Sequence, residues 1–194
     1  MSKFKASFIK NSFSMLIIII TIMFGIFIIN NYKKKENKNF QIGGSFQLLK
    51  QNGDSYSSKL INKKKVIYFG YTFCPDVCPL DLLKISRIID KQPNLVEDFD
   101  FIFITVDPER DNQSQIKNFM SNFNENLIGL TGEVKDIDNV LSMFRIYVKR
   151  NKNFNDENYL VDHSSLIFLI DNQDQYITHF SPKDFNVKFM DYLN

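Results

Sequence analysis

Two cysteines, Cys74 and Cys78, and two histidines, His163 and His179, are the only residues of their types in a chain of 194. Both cysteines fall in the stretch Phe69-Gly70-Tyr71-Thr72-Phe73-Cys74-Pro75-Asp76-Val77-Cys78-Pro79-Leu80. A disulfide between them would close almost no loop, so it would remove little entropy from the unfolded chain. Two cysteines also cannot build a multi-disulfide scaffold. Their placement points to chemistry. Thiols separated by three residues in a tight turn can converge on one metal ion at about 2.2–2.3 Å from each sulfur, or they can cycle between dithiol and disulfide. The prolines around Asp76 and Val77 make a rigid, exposed turn rather than a core strand, which argues against two inert buried thiols.

The elements that must position this turn follow from the pattern around it. Residues 66–69 form a compact apolar strand ended by Gly70, and residues 80–90 carry apolar positions at 82, 83, 85, 88 and 89, the spacing of an amphipathic helix. The turn thus lies at the carboxyl end of a strand and the start of a helix, where open α/β sheets place their ligands. Pro79 suits the first helical position, and the helix N-terminus favours thiolate over thiol. Further strands are expected at 46–49, 101–106, 127–130, 146–148, 164–170 and 176–180, and further helices at 113–123, 134–144 and 183–193. Gly43-Gly44 opens the domain, and residues 51–54 and 172–174 read as turns. Lys63, Lys64 and Lys65 read as a solvated turn, and residues 149–158 as a polar insertion without periodicity. Strands alternating with helices imply a mostly parallel sheet covered on both faces, with an antiparallel edge from the last hairpin.

On a sheet of the thioredoxin-like kind, the loop entering the 164–170 strand faces the cysteine turn. His163 is thereby placed to complete a metal site, with Asp162 as a partner able to orient its imidazole. His179 falls in the edge hairpin and reads as structural or solvated. Two thiolates and an imidazole satisfy Cu(I) in a three-coordinate site and can hold Cu(II) with an added ligand. A structural zinc would want a fourth ligand, which no other cysteine or histidine can supply.

Composition bounds the rest. A hydrophobic fraction of 44% and a charged fraction of 24% suit one packed domain. A net charge of +2 with scattered lysines gives no case for nucleic acid. Residues 11–32 contain no charge, and as a helix these 22 residues span roughly 33 Å, close to the apolar thickness of a bilayer. No small-residue cleavage site follows them, so the reading is an uncleaved anchor rather than a signal peptide. The expected organisation is an N-terminal tail at 1–12, a transmembrane helix at 13–31, a linker at 32–41 and an α/β domain at 42–194. Lysines flank the anchor on both sides and leave its orientation open.

The cysteine stretch, together with Thr105-Val106-Asp107-Pro108-Glu109-Arg110-Asp111 and Tyr159-Leu160-Val161-Asp162-His163-Ser164, resembles the Sco/SenC family of copper chaperones for cytochrome c oxidase assembly. The Gly43-Gly44 start is a weaker fourth match, and the likeness runs over roughly residues 40–192. The resemblance implies a thioredoxin-like fold, a central mixed sheet flanked by helices. It also implies that Cys74, Cys78 and His163 are copper ligands for one ion per chain. The partner it implies is the binuclear copper site of oxidase subunit II, with an upstream copper donor. It places the soluble domain across an inner membrane, on the periplasmic or intermembrane-space side, and the tail on the cytoplasmic or matrix side.

Two other activities use the same turn. A thiol–disulfide oxidoreductase would use Cys74 and Cys78 as its redox pair without His163, and could reduce the cysteines of the oxidase copper site. A peroxiredoxin-like peroxidase would want an arginine beside one activated cysteine, and Arg110 in a neighbouring loop is the sole candidate. Asp107, at the end of its strand on the side of the cysteine turn, is either a turn-initiating residue before proline or a member of the site.

Overall fold

The computed structural model describes residues 19–31, 42–151 and 159–193. The chain divides into two compact units, Met1–Gln41 and Ile42–Asn194. In the first, residues 19–31 form helix α1, whose isoleucine, phenylalanine and methionine side chains are exposed. The remainder of the expected anchor, the N-terminal tail and the linker lie outside the described residues. No described helix is long and apolar enough to cross a membrane.

The second unit is an α/β fold. Its strands are β1 (Gln47–Lys50), β2 (Ser55–Ser57), β3 (Lys64–Gly70), β4 (Phe99–Thr105), β5 (Leu127–Thr131), β6 (Val148–Arg150), β7 (Val161–His163), β8 (Ile167–Ile170) and β9 (Tyr176–Phe180). The helices are α2 (Val77–Lys91), α3 (Leu95–Asp98), α4 (Gln113–Met120), α5 (Val134–Met143) and α6 (Phe185–Leu193). Seven strands form one sheet in the order β2-β1-β5-β4-β3-β8-β9, and β6 and β7 form a separate antiparallel pair. Only β5, β4 and β3 are mutually parallel; β1 and β8 join them antiparallel on either side. The sheet is therefore mixed, less parallel than the alternation of elements suggests, because hairpins extend it at both edges.

The central strands are apolar without alternation because both faces are covered. Val66, Ile67, Tyr68 and Phe69 are all fully buried. Successive side chains point to opposite faces. Tyr68 stacks on Phe103, which meets Phe119 of α4, and Phe101 meets Phe189 of α6. On the other face Phe69 packs against Phe144 and Phe168, with Phe46 beyond. Gly70 belongs to the Tyr68 face. A Cβ there would stand 3.1 Å from Cys78 Sγ and 3.0 Å from Phe103, so only glycine lets α2 bring Cys78 down onto the strand end.

The lysine triplet is not a solvated turn. Lys64 and Lys65 begin β3, and the Lys65 side chain has 0% exposure. Its Nζ donates to Asp174 Oδ1 at 2.8 Å and to the Ile61 carbonyl at 3.2 Å. Asp174 Oδ2 accepts from Ser58 Oγ, which in turn accepts from the Phe46 N–H. Asp174 has φ +62 in the turn after β8, a conformation open to aspartate and asparagine. Nearby, Gly43 has φ +89, its N–H bonds to the Met143 carbonyl, and it bridges to Gln175, so the domain start is laced to this turn.

Candidate metal and thiol site

Helix α2 begins at Val77, so Pro79 is its third residue rather than its first. Both positions lack an intrahelical N–H partner, so the proline is tolerated as expected. Asp76, the N-cap, makes no side-chain capping bond. The cap is sulfur instead: the Cys78 N–H donates to Cys74 Sγ at 3.5 Å. The Cys74 backbone N–H bonds to the Tyr71 carbonyl, which closes the turn.

The two thiols differ sharply. Cys78 is fully buried, whereas Cys74 is half-buried. A hydrogen bond from Cys78, aided by the backbone N–H groups of Asp76, Cys78 and Val77 and opposed by partial burial, brings the Cys74 thiol down to about 5. The same bond, together with burial, pushes Cys78 up. Cys74 is the thiolate and Cys78 holds the proton between them. Alkylation of the reduced chain by iodoacetamide is expected to occur at Cys74 alone, with its rate inflecting near pH 5 and flat at neutral pH, where an ordinary thiol is still rising toward about 8.5. Nucleophilicity falls with pKa, so the inflection rather than the plateau height is the signature. A single inflection above pH 8 would contradict this assignment.

His163 is the last residue of β7, not part of a loop entering a longer strand; the expected 164–170 strand is shorter and starts at Ile167. Its Nε2 lies 3.5 Å from Cys78 Sγ. Nδ1 lies 3.0 Å from the Ser164 carbonyl oxygen. A carbonyl can only accept, so Nδ1 carries a proton, and in the neutral ring that leaves the Nε2 lone pair on the side of the sulfur. The Ser164 carbonyl thus does what Asp162 was expected to do. Asp162 accepts from Asn151 Nδ2 instead. The Tyr71 ring meets the imidazole edge-on at 6.0 Å.

A sulfur and an imidazole nitrogen that share one ion at about 2.3 Å and about 2.0 Å stand about 3.5 Å apart at a near-tetrahedral angle. The Cys78–His163 pair already has that span, and a thiolate adjoins it. Among the described residues no three cysteine, histidine or carboxylate side chains converge as a ready-made metal cage. The sulfur–nitrogen pair is set, and Cys74 is held to it by hydrogen bonding. The donor set suits a soft or borderline ion. His179 stands apart on the edge strand β9, exposed, with Tyr176 Oη 2.6 Å from its Nδ1.

Asp107 is a member of the site's support. It is fully buried, and Oδ2 takes a 2.6 Å bond from Arg110 Nε while Oδ1 takes one of 2.6 Å from Tyr159 Oη. Arg150 donates to the Val106 carbonyl and stands 4.0 Å from Asp107. The Arg110 guanidinium lies over the rings of Tyr159, Phe73 and Tyr71. With its Nε engaged by Asp107, Arg110 is placed to cover the cysteine turn rather than to polarise a peroxide. Asp111 is also fully buried and accepts from the Thr72 N–H, Thr72 Oγ1 and Thr105 Oγ1, pinning the start of the cysteine turn to the end of β4. Burial raises its carboxyl above the usual range, against the pull of the threonine donors. Tyr71 Oη in turn accepts from the Val161 N–H.

These supports are the features that pattern reading missed. Arg150 lies within the stretch that reads as a polar insertion and Tyr159 directly follows it, and nothing in their spacing marks them. The alternation of Val161 inward and Asp162 outward was the available signal for β7.

A mixed thioredoxin-like sheet with paired cysteines at its parallel-strand end and a histidine opposite defines a class, and comparison with known proteins gives its family. The SCO1/SenC family model matches residues 34–192, and the chain belongs to that family. It is 42% identical over 142 residues to the SCO2-like protein of Rickettsia prowazekii (strain Madrid E), covering 72% of this chain and 69% of the relative. Among solved structures, Bradyrhizobium japonicum ScoI with copper bound is 37% identical at a TM-score of 0.69, over 78% of this chain and 99% of that one. Yeast Sco1 with copper bound is 29% identical at a TM-score of 0.67, over 79% and 88%.

Proposed function

We propose that this chain is a membrane-anchored copper-binding protein that serves assembly of the binuclear copper site of cytochrome c oxidase subunit II. Cys74, Cys78 and His163 hold the ion, which is cargo rather than a resident cofactor. The observation that carries this reading is the 3.5 Å approach of His163 Nε2 to the buried Cys78 sulfur, beside the half-buried Cys74. Membership of a family whose solved members include copper-bound forms supports it. The uncharged run at 11–32 is the anchor, and the domain from residue 42 stands on the periplasmic or intermembrane-space side of an inner membrane.

The test is anaerobic loading of the reduced full-length chain with Cu(I), removal of free metal and metal analysis. A single ion per chain is expected, with retention lost in Cys78→Ser and greatly weakened in His163→Ala. Full retention by His163→Ala would remove the imidazole from the account.

A second reading is favoured by one observation, the depressed Cys74 thiol beside a buried partner sulfur that can close a disulfide on it. In this reading the pair reduces the cysteines of the oxidase site. Disulfide reduction that survives His163→Ala while copper retention falls would assign both activities to the one turn.

A further inference from the structure

We infer that Asp81 is a positioning residue that sets the span between Cys78 and His163. The inference rests on the copper-binding reading and adds to it the device that holds two donors from distant parts of the chain at one separation. Asp81 lies one turn along α2 from Cys78 and is only 5% exposed. Its Oδ2 accepts from Tyr68 Oη at 3.2 Å and from Ser165 Oγ at 3.3 Å, and Oδ1 accepts from Lys84 Nζ at 2.8 Å.

Each partner sits beside a donor. Ser165 is two residues past His163, and the intervening Ser164 supplies the carbonyl that fixes the imidazole tautomer. Tyr68 is on the β3 face beneath Cys78, where its ring and the Cys78 sulfur both crowd the Cβ position of Gly70 at 3.1 Å. The connections form a closed ring: Cys78, one helical turn to Asp81, across to Ser165, back two residues to His163, and across 3.5 Å to Cys78.

The alternative supports of this segment act elsewhere. Ser164 is tied to Tyr147 through backbone and hydroxyl bonds, and Val161 to Tyr71. Both hold β7 from the side of its partner strand or of the cysteine turn. Asp81 links the segment after His163 directly to the helix that carries Cys78, and Tyr68 Oη, which interacts with Ser165, Cys78 and Asp81, closes a second, indirect path between them. The pair is also asymmetric in a useful way. Lys84 anchors one carboxylate oxygen toward the surface, which leaves the other oxygen to face inward to both site-side hydroxyls.

The experiment uses the full-length chain and the variants Ser165→Ala, Asp81→Ala and Asp81→Asn. The metal-free readout is the long-range proton–nitrogen spectrum of the His163 ring. A single Nδ1–H tautomer is expected in the unaltered chain and in Asp81→Asn, which keeps an acceptor oxygen. Mixed tautomers are expected in Ser165→Ala and Asp81→Ala. With copper bound, transfer to a competing chelator is expected to be about tenfold faster or more in those two variants, with a weakened nitrogen coupling in the Cu(II) paramagnetic resonance spectrum. Unchanged tautomer and unchanged release in Ser165→Ala would overturn the inference, and that variant decides the matter even if Asp81→Ala does not fold. If the unaltered chain takes up no copper, the functional reading fails, while the tautomer comparison still tests the strut.

Discussion

Replacing Asp174 by alanine is expected to destabilise the fold by about 3–5 kcal/mol, the cost of leaving a buried charge without its partner. Lys65 has no exposed side-chain surface, and Asp174 has 1%. The lysine keeps only the Ile61 carbonyl once the carboxylate is gone, and Ser58 Oγ loses its acceptor, which in turn loosens the bond to the Phe46 N–H. Asp174→Asn separates charge from shape, since asparagine tolerates the positive φ and can still accept from Ser58. It should lie between alanine and the unaltered chain. Lys65→Met combined with Asp174→Asn removes both charges and should recover much of the loss, because well-packed apolar replacements of buried pairs are often neutral. Urea unfolding followed by tryptophan-free probes such as tyrosine fluorescence or circular dichroism measures all of these. Equal midpoints for Asp174→Ala and the unaltered chain would mean that Lys65 finds another partner or reaches water.

Replacing Asp107 by alanine is expected to cost about 3 kcal/mol or more and to weaken copper retention at the same time. Three groups depend on this carboxylate: Arg110, Tyr159 and, at 4.0 Å, Arg150. Arg150 ends β6 and Tyr159 precedes β7, the pair whose last residue is His163. Without Asp107 the buried tyrosine hydroxyl has lost this acceptor and the Arg110 side chain, 12% exposed, has lost the carboxylate at 2.6 Å. The imidazole on β7 is thereby less firmly held. Asp107→Asn retains an acceptor for Tyr159 and should fall between. Urea unfolding and copper retention are to be measured on the same preparations. Retention that stays at the unaltered level in a clearly destabilised Asp107→Ala would confine the residue to turn structure.

What could be read from the residues and what could not divides along local and distant contacts. Strands buried on both faces produce uninterrupted apolar runs, so β3 and β4 are visible within a residue or two of their ends. The cysteine turn is legible because its spacing, prolines and following amphipathic helix all lie within a short window. The pairing of Lys65 is not visible locally because its partner is 109 residues away, and a charged triplet looks the same whether its middle or end residue is solvated or paired. β7 was missed because three residues carry too little periodicity, and its pairing with β6 spans a polar insertion. The imidazole's true partner is a backbone carbonyl, which no residue type announces. Pro79 sits two positions later than expected because the Cys74 sulfur, and not the side chain of Asp76, starts the helix.

The histidine and the sulfur it faces are 85 residues apart. The cysteine turn can form as soon as β3 and α2 come together, but the imidazole reaches it only after the chain has laid down β4 and β5 and returned antiparallel along β3 as β8. Such distant pairings are made late, since the entropy of closing a long loop must be overcome before the contact rewards it. A chain caught before that return offers an ion two sulfurs and no nitrogen. Completion of the sheet is therefore the event expected to bring the imidazole to the dithiol, and under the proposed copper site a nitrogen signature in the bound metal would report it.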